Sequence, residues 1–335
     1  MGVEGSTDAP TVIPSVLVPR FLLDGHREQV EAAVEGRATI VADDDPALAG
    51  PGPVDVQVAV TGIDDALLER AVDGAWLRWV HSVSAGVEHL PLARMAERGV
   101  LLTSSAGAYA TAMTEYVLAA MIMLARHLPS WVAAQRDRRW LDADAYGASV
   151  LRGKQLGIVG YGAVGRELAH AARALGMTVW ATKRSPLFLS AEPLDRLLSP
   201  DQLEKMLSES DVVVLCASLN RTTRHLIGPD ELATMMPTAT LVNVARGGLV
   251  DEDALVRALN QGRLRGAMLD VTAEEPLPPD SPLWTAPNLL ITPHISGNAP
   301  ESWDGQVDFF CRNLRIYLEG SPERMGNLVD YAAVR

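Results

Sequence analysis

The amino-acid sequence predicts an α/β protein with parallel sheets, folded as two domains. Short apolar runs alternate with helical segments along most of the chain, and parallel strands joined by helices produce that alternation. The chain has 335 residues, of which 48% are hydrophobic. That length suggests two domains at roughly 150 residues each. The composition is therefore sufficient for two cores, and it excludes a disordered chain.

The charge balance is acidic, with 29 lysines and arginines against 42 aspartates and glutamates and a net charge of −13. Non-specific binding to nucleic acid or to anionic membranes depends on clustered Lys and Arg, so neither partner is expected. The longest apolar run, Tyr116–Ala125, is about half the length of a membrane-spanning helix. We therefore expect a cytoplasmic protein that holds anionic ligands at local positive sites, and no metal site is predicted.

The first hundred residues alternate between strands and helices. The predicted strands are Ser15–Pro19, Val54–Val60, Leu77–Val83 and Val100–Ser104, and the predicted helices are His26–Glu35 and Asp64–Val72. A long apolar helix over Glu115–Arg126 should be buried in a core or at a subunit contact. Residues 128–150 are expected to form a solvated or subunit-wrapping arm.

From Gly153 onward the alternation is regular. The predicted strands are Leu156–Val159, Thr178–Ala181, Asp211–Leu215, Thr240–Val244, Gly266–Leu269 and Leu289–Thr292. Six short apolar strands separated by helices are typical of a doubly wound sheet. A final helix is predicted over Glu301–Leu318, because apolar residues recur along it at helical spacing.

A glycine-rich loop lies between the first of these strands and the helix that follows. The residues are Gly160, Tyr161, Gly162, Ala163, Val164 and Gly165, and they match the G-x-G-x-x-G dinucleotide fingerprint in its required strand–loop–helix context. The first glycine permits the tight turn, the second lets the backbone approach a pyrophosphate, and the third lets the helix pack closely. The unpaired N–H groups of the helix would face the phosphates. The alternative is a structural glycine turn without a ligand.

The residues after the next strand bear on the choice of cofactor. They are Thr182, Lys183, Arg184 and Ser185. NAD-binding proteins place an acid here to bond the ribose 2′-hydroxyl, whereas two cations and two hydroxyls suit a 2′-phosphate. The sequence therefore predicts NADP as the preferred cofactor and NAD as the second choice. The alternative is that both cations are ordinary solvated surface charges.

Polar side chains follow the last three predicted strands, at the carboxyl edge where open α/β sheets bind ligands. They are Arg246, Asp270 and His294, and Glu275 lies in the loop after Asp270. This set suits hydride transfer to a 2-oxo acid. The guanidinium of Arg246 would hold the carboxylate and polarise the ketone, and His294 would protonate the developing alkoxide. Glu275 would orient the imidazole and favour its charged form, and Asp270 would orient the nicotinamide carboxamide.

These motifs resemble the D-isomer-specific 2-hydroxyacid dehydrogenase family, and within it the glyoxylate, hydroxypyruvate and 2-ketoacid reductases. The resemblance covers nearly the whole chain and is strongest in Trp79–Leu90, Leu156–Gly165 and Leu241–Gly297. It implies that Arg246, Glu275 and His294 form the catalytic triad. It also implies that backbone N–H groups in the loop of Ser84, Ala85 and Gly86 hold the substrate carboxylate.

The resemblance further implies two Rossmann-like domains joined by a double crossover. The substrate-binding domain would be discontinuous, formed by residues 1–109 and 298–335, and residues 110–297 would form the dinucleotide-binding domain. The helix at Glu115 would help to form a homodimer. Further cofactor contacts are implied at Ala217, Ser218, Thr223, Val244, Ala245 and Gly297. The chain departs from the family pattern at 217–220, where relatives often have Leu-Pro-Leu-Thr, and at Thr272, where many have an aromatic residue.

We therefore expect an enzyme that reduces a small 2-oxo acid, of the glyoxylate or hydroxypyruvate type, to the D-2-hydroxy acid with NADPH. The first alternative is a 2-hydroxyacid dehydrogenase that prefers NADH. The second is a cofactor-sensing binding protein like the family's corepressors, which the intact triad disfavours. Measured turnover with each cofactor distinguishes these hypotheses.

Overall fold

The computed structural model describes residues 13–142, 147–184 and 192–334. The chain divides into two compact units, one formed by residues up to Ala108 together with those from Pro300 onward, the other by Tyr109–Ala299. Each unit contains one parallel sheet, of five and seven strands. The predicted α/β class with two Rossmann-like parallel sheets is confirmed.

The sheet of the first unit has the strand order β2-β1-β3-β4-β5. Its strands are β1 (Ser15–Val18), β2 (Thr39–Ala42), β3 (Val58–Val60), β4 (Trp79–Ser82) and β5 (Leu101–Ser104). Its helices are α1 (Arg20–Val34), α2 (Asp65–Asp73), α3 (Leu92–Glu97), α10 (Pro300–Leu318) and α11 (Tyr331–Val334), numbered in chain order. The edge strand β2 was not predicted, because its four residues are exposed or half-buried and have no apolar alternation. Helix α1 begins earlier than predicted, since non-helical angles at His26 interrupt its periodicity.

A histidine lies in the core of the first unit. The His81 side chain on β4 is fully buried, with Nδ1 2.8 Å from Thr103 Oγ1 and Nε2 3.1 Å from Ser105 Oγ. Its ring packs against Phe310 of α10, with centroids 5.3 Å apart. Burial lowers the pKa of His81 from the usual 6.5 to about 3, because the charged imidazolium would lose its hydration. The folded chain therefore holds this histidine neutral.

We expect the first unit to lose stability in mild acid through His81. Its folded-state pKa of about 3 lies below the ordinary 6.5, so between these values the unfolded chain binds the extra proton and folding weakens as the pH falls. The loss is up to about 1.4 kcal/mol per pH unit. Urea unfolding of His81→Gln between pH 7 and 4 should show a shallower pH dependence than wild type, whereas His89→Gln, at an exposed position, should not. Identical slopes for wild type and His81→Gln would contradict this.

The sheet of the second unit has the order β12-β11-β10-β9-β6-β7-β8. Its strands are β6 (Gln155–Val159), β7 (Thr178–Thr182), β8 (Arg196–Leu198), β9 (Val212–Leu215), β10 (Thr240–Asn243), β11 (Gly266–Leu269) and β12 (Leu289–Ile291). Its helices are α4 (Ala110–Ala125), α5 (Leu128–Arg136), α6 (Ala163–Ala174), α7 (Leu203–Glu209), α8 (Pro229–Thr234) and α9 (Glu252–Asn260). The chain runs outward from β6 to β8, then returns to β9 and continues to β12. This reversal creates a switch point between β6 and β9, where doubly wound sheets bind ligands.

Two apolar layers cover the faces of this sheet. Leu156 and Ile158 of β6 pack with α4 and α6 on one face, and Val213 of β9 packs with α7, α8 and α9 on the other.

Six strands were predicted and a seventh, the three-residue β8, was missed. The arm expected over 128–150 begins instead with helix α5, which buries Ala134. Among the described residues, no single helix is long and apolar enough to cross a membrane; α4 and α5 meet that criterion only as a pair, bent by 71°.

Candidate active site

The glycine loop lies at the switch point of the larger sheet. Gly160 has φ 97°, and a Cβ atom there would lie 2.7 Å from the backbone of Ala217, so a larger residue would separate the loops after β6 and β9. A Cβ at Gly165 would lie 2.6 Å from the Gly160 carbonyl oxygen, which explains the close approach of α6. A Cβ at Gly162, the N-cap of α6, would have no atom within 4 Å. The start of α6 is therefore open to a phosphate.

Thr182, at the end of β7, is hydrogen-bonded to the glycine loop. Its hydroxyl accepts a hydrogen bond from the Gly160 N–H at 3.3 Å, and its carbonyl oxygen accepts from the Tyr161 N–H at 3.0 Å. Thr182 is buried, so its hydroxyl organises the glycine loop. Lys183 is half-buried and Arg184 is exposed. Ser185, also predicted to contact the cofactor, lies outside the described residues.

An acidic residue that the sequence analysis missed lies beside these cations. Glu192 accepts a hydrogen bond from the Tyr161 hydroxyl at 2.7 Å and forms an ion pair with Arg166. The bond from Tyr161, and next the charges of Arg166 and Lys183, hold the pKa of Glu192 below its usual range, although burial opposes this. Burial, followed by the bond to Glu192, raises the pKa of Tyr161, which therefore stays a donor. Glu192 thus places a negative charge where it interacts electrostatically with Lys183, one of the residues predicted to contact the 2′-phosphate.

The loop after β9 is held by its own hydroxyl groups. Thr223 donates its hydroxyl hydrogen to the Ser218 carbonyl oxygen at 2.8 Å and accepts from the Asn220 N–H at 2.8 Å. Ala217 packs against Gly160, as described above, and Ser218 is exposed. The residues at 217–220 therefore form an ordered turn next to the glycine loop.

Arg246 follows β10 in a tightly packed loop. Val244 is buried, and the Ala245 N–H donates to Asn243 Oδ1 at 3.1 Å. Asn243 Nδ2 donates to the Arg246 carbonyl oxygen at 2.9 Å, which fixes the backbone of the arginine. A Cβ at the next residue, Gly247, would lie 1.9 Å from the carbonyl carbon of Thr272. Glycine is therefore required where the loops after β10 and β11 meet.

Asp270 follows β11 and is almost completely buried. Its Oδ1 accepts from the Thr292 hydroxyl at 2.6 Å and from the Ile295 N–H at 2.9 Å, and its Oδ2 accepts from the Ser296 N–H at 2.9 Å. These contacts bind the carboxylate to the loop around His294. Its expected role toward the nicotinamide stays a prediction.

Glu275 and His294 form a hydrogen-bonded pair. His294 Nδ1 lies 2.8 Å from Glu275 Oε2, and Glu275 Oε1 accepts from the Thr272 N–H at 3.0 Å. Both side chains are partly exposed, with relative accessibilities of 48% for His294 and 38% for Glu275. Because Nδ1 is bonded to Glu275, a further partner of the imidazole would bind at Nε2. The predicted acid–base pair is thus preassembled at the carboxyl edge of the sheet.

A second missed acid, Glu252, lies in the first turn of α9. Its Oε1 accepts from the Ala273 N–H at 2.6 Å, which ties α9 to the loop that contains Glu275. Burial raises the pKa of Glu252; the bond from Ala273 opposes this, and the charges of Asp253 and Glu275 add to it. The signal in the sequence is the acidic run Asp251–Asp253 directly after the Arg246 loop.

Near the end of the second unit, Gly297 packs against Tyr109, since a Cβ there would lie 2.9 Å from the ring.

In the first unit, the loop of Ser84, Ala85 and Gly86 follows β4 at the carboxyl edge of the smaller sheet. The Val83 N–H donates to Thr61 Oγ1 at 3.0 Å, and the Ser84 N–H donates to Ser82 Oγ at 3.2 Å. The Ser84 amide is therefore already engaged. The expected contact of this loop with a substrate carboxylate stays a prediction.

The chain is similar in sequence and in fold to known proteins. Residues 118–296 match a family model described as "D-isomer specific 2-hydroxyacid dehydrogenase, NAD binding domain". A glyoxylate reductase of Thermococcus gammatolerans is 32% identical over 279 residues, covering 79% of this chain and 81% of that protein. An (S)-sulfolactate dehydrogenase of Chromohalobacter salexigens is 37% identical over 248 residues, covering 72% and 77%. The structure of a D-isomer specific 2-hydroxyacid dehydrogenase from Xanthobacter autotrophicus Py2, in complex with NADPH and MES, is 28% identical, with a TM-score of 0.78 over 95% of this chain and 98% of that one.

Proposed function

Because this chain belongs to the D-isomer-specific 2-hydroxyacid dehydrogenase family, we propose that it reduces a small 2-oxo acid to the D-2-hydroxy acid with NADPH. The chain is an NAD(P)-dependent enzyme that acts on a CH–OH group. The observation that supports an acid–base role for His294 is the His294–Glu275 pair, with 2.8 Å between Nδ1 and Oε2. Substrates of the glyoxylate or hydroxypyruvate type are the first candidates, and the Thermococcus relative is named a glyoxylate reductase.

The glycine loop fits a dinucleotide. The turn at Gly160, the uncovered backbone at Gly162 and the N-terminus of α6 offer N–H groups to a pyrophosphate, which is the arrangement that such cofactors require. When bound, the reduced nicotinamide supplies a hydride to C2 of the substrate. In the proposed arrangement, the ordered turn at Ala217–Thr223 and the backbone at Val244 and Ala245 provide further cofactor contacts.

The substrate acid is held through its charge. We assign the fork of Arg246 to the carboxylate and the ketone oxygen, because a planar guanidinium can donate to both at once. The amides of Ala85 and Gly86 would add two more donors to the carboxylate. Polarising the ketone makes C2 more electrophilic and stabilises negative charge as it develops on oxygen.

His294 completes the reaction by supplying the proton. Nδ1 is bonded to Glu275, so Nε2 is the nitrogen that donates a proton to the oxygen of the reduced carbonyl. The carboxylate of Glu275 stabilises the imidazolium that exists before transfer. In the reverse direction the same nitrogen accepts the proton of the hydroxy acid.

Turnover tests the proposal directly. The purified chain is mixed with NADPH or NADH and with glyoxylate, hydroxypyruvate, pyruvate, phenylpyruvate or sulfopyruvate, and loss of reduced-nicotinamide absorbance is followed. Sulfopyruvate is included because the sulfolactate dehydrogenase is 37% identical. We expect oxidation of NADPH with one or more of these acids and a D-2-hydroxy acid as the product. Cofactor binding without turnover on any of them would overturn the proposal and favour a cofactor-sensing binding protein.

NADPH preference is expected from Lys183 and Arg184. Each hydrogen bond from a cation to the 2′-phosphate contributes roughly 1.5–3 kcal/mol, so we expect kcat/KM to favour NADPH by about 10- to 1,000-fold at low salt. Lys183→Asp should remove about 10- to 150-fold of that preference, because a carboxylate repels phosphate and accepts from a free 2′-hydroxyl. Glu192→Gln should increase the preference, since it removes the negative charge beside Lys183.

A matched charge reversal serves as the control for cofactor choice. Lys205→Asp places the same change on α7, at an exposed position, and should leave the ratio of kcat/KM values as in wild type. Equal kcat/KM for NADPH and NADH in the wild-type enzyme would show that neither cation reaches the ribose. An unchanged ratio in Lys183→Asp would assign the preference to other residues.

We also propose a homodimer formed through α4 and α5. Ile122, Leu128 and Val132 are exposed apolar side chains on these two helices, and Trp140 beyond them is fully exposed. Exposed apolar residues grouped in this way are typical of subunit contacts. Sedimentation velocity of the purified chain, compared with an Ile122→Glu variant, tests this assignment.

A further inference from the structure

The loop that presents His294 is built around one buried carboxylate. Thr292, Ile295 and Ser296 donate to the two side-chain oxygens of Asp270 at 2.6, 2.9 and 2.9 Å, and the His294 N–H donates to the Asp270 carbonyl oxygen at 2.8 Å. The donors come from both sides of the histidine in the sequence. Four hydrogen bonds to a single residue therefore determine where the backbone of His294 lies.

This arrangement holds His294 in a backbone conformation that it would not adopt alone. Its φ is 54°, in the left-handed region that side chains other than glycine rarely occupy. Such a conformation persists only where the surroundings impose it. The bonds to Asp270 provide that constraint, and the Thr292 hydroxyl makes the shortest of them.

We propose that Thr292 is a positioning residue for the proton transfer, acting through Asp270 on the loop of His294. This inference rests on the proposed function only for its kinetic consequence. Neither side chain needs to touch substrate. A misplacement of about 1 Å at a reacting group can cost about 10²-fold in rate, so a hydroxyl that fixes the histidine has a measurable effect.

Isosteric substitutions isolate the hydroxyl group. In Thr292→Val the bond to Asp270 is lost at constant size, and we expect kcat to fall by about 10- to 100-fold, with the dissociation constant of NADPH unchanged. Thr292→Ser retains the hydroxyl and should retain most of the wild-type kcat. The solvent deuterium isotope effect on kcat should increase in Thr292→Val, because proton transfer becomes slower than the steps around it.

A control and a second readout separate positioning from general destabilisation. Thr285→Val makes the same change at an exposed site and should leave kcat unchanged. A purely structural role for Thr292 would lower the melting temperature and the active fraction but leave the isotope effect per active site as in wild type. A wild-type kcat and isotope effect in Thr292→Val would overturn the inference.

Amide hydrogen exchange tests the same network without activity. The N–H groups of Ile295 and Ser296 both bond to Asp270, so their exchange should accelerate in Thr292→Val and not in Thr292→Ser. If amide exchange at Ile295 and Ser296 is unchanged in Thr292→Val, the inference is refuted, whichever substrate the enzyme reduces. If the wild-type chain does not reduce any 2-oxo acid, the proposed function fails, and exchange still decides whether Thr292 organises the loop.

Discussion

Replacing His294 with alanine is expected to lower kcat by about 10²–10⁴-fold, the usual contribution of a general acid. The bond between His294 Nδ1 and Glu275 Oε2 orients the imidazole, and no other proton donor is assigned to the substrate oxygen. The dissociation constant of NADPH should change little, since the phosphates are assigned to the glycine loop. Steady-state rates and a fluorescence titration of NADPH measure both quantities.

Two comparisons make this experiment specific. His170→Ala removes an exposed histidine from α6 and should have wild-type kinetics. Glu275→Gln should reduce kcat less than His294→Ala does, because the amide keeps a hydrogen bond while losing the charge that stabilises the imidazolium. Near-normal turnover in His294→Ala would mean that the proton comes from another group.

The second large effect is expected at Arg246. Arg246→Ala removes two proposed charge-assisted hydrogen bonds, each worth roughly 1.5–3 kcal/mol, so kcat/KM should fall by about 10²–10⁴-fold. Arg246→Lys keeps the charge but loses the planar fork, and should recover only part of the loss. Both KM and kcat should be affected in each variant, because the guanidinium is assigned to the carboxylate and to the ketone.

Separate measurement of KM and kcat distinguishes substrate binding from ketone polarisation as the role of Arg246. If Arg246→Lys raises KM and leaves kcat unchanged, the arginine binds substrate without polarising the ketone. Arg263→Ala removes an arginine at an exposed position in the same unit and should leave both constants unchanged. Wild-type kinetics in Arg246→Ala would remove the arginine from the site altogether.

Much of the fold could be predicted from local patterns. Buried parallel strands are short continuous apolar runs, and the predicted strand over Gly266–Leu269 matches β11. The elements that were missed have no such pattern. The edge strand β2 is not buried, and α5, which begins at Leu128, buries only Ala134 and so has no clear apolar periodicity.

The candidate site likewise has parts that the sequence predicts and parts that it does not. Sequence alone determined the glycine loop, because its spacing and its strand–loop–helix context are local. It also placed Arg246, Asp270 and His294 at one edge, because parallel strands of one sheet share their carboxyl ends. What it could not determine was which side chains meet across loops of unconstrained length.

Only the tertiary structure brought Glu192 to Tyr161 and Arg166, and only the tertiary structure turned the carboxylate of Asp270 toward Thr292 and the loop of His294. Contacts of this kind depend on how a loop folds back or how a helix packs on a sheet. Their partners are separated by tens of residues, as Tyr161 and Glu192 are, and no periodicity in the chain links them. Strand alternation and turn residues are decided by neighbouring residues, whereas the hydrogen bonds that organise a buried charge are decided by the packing of distant ones.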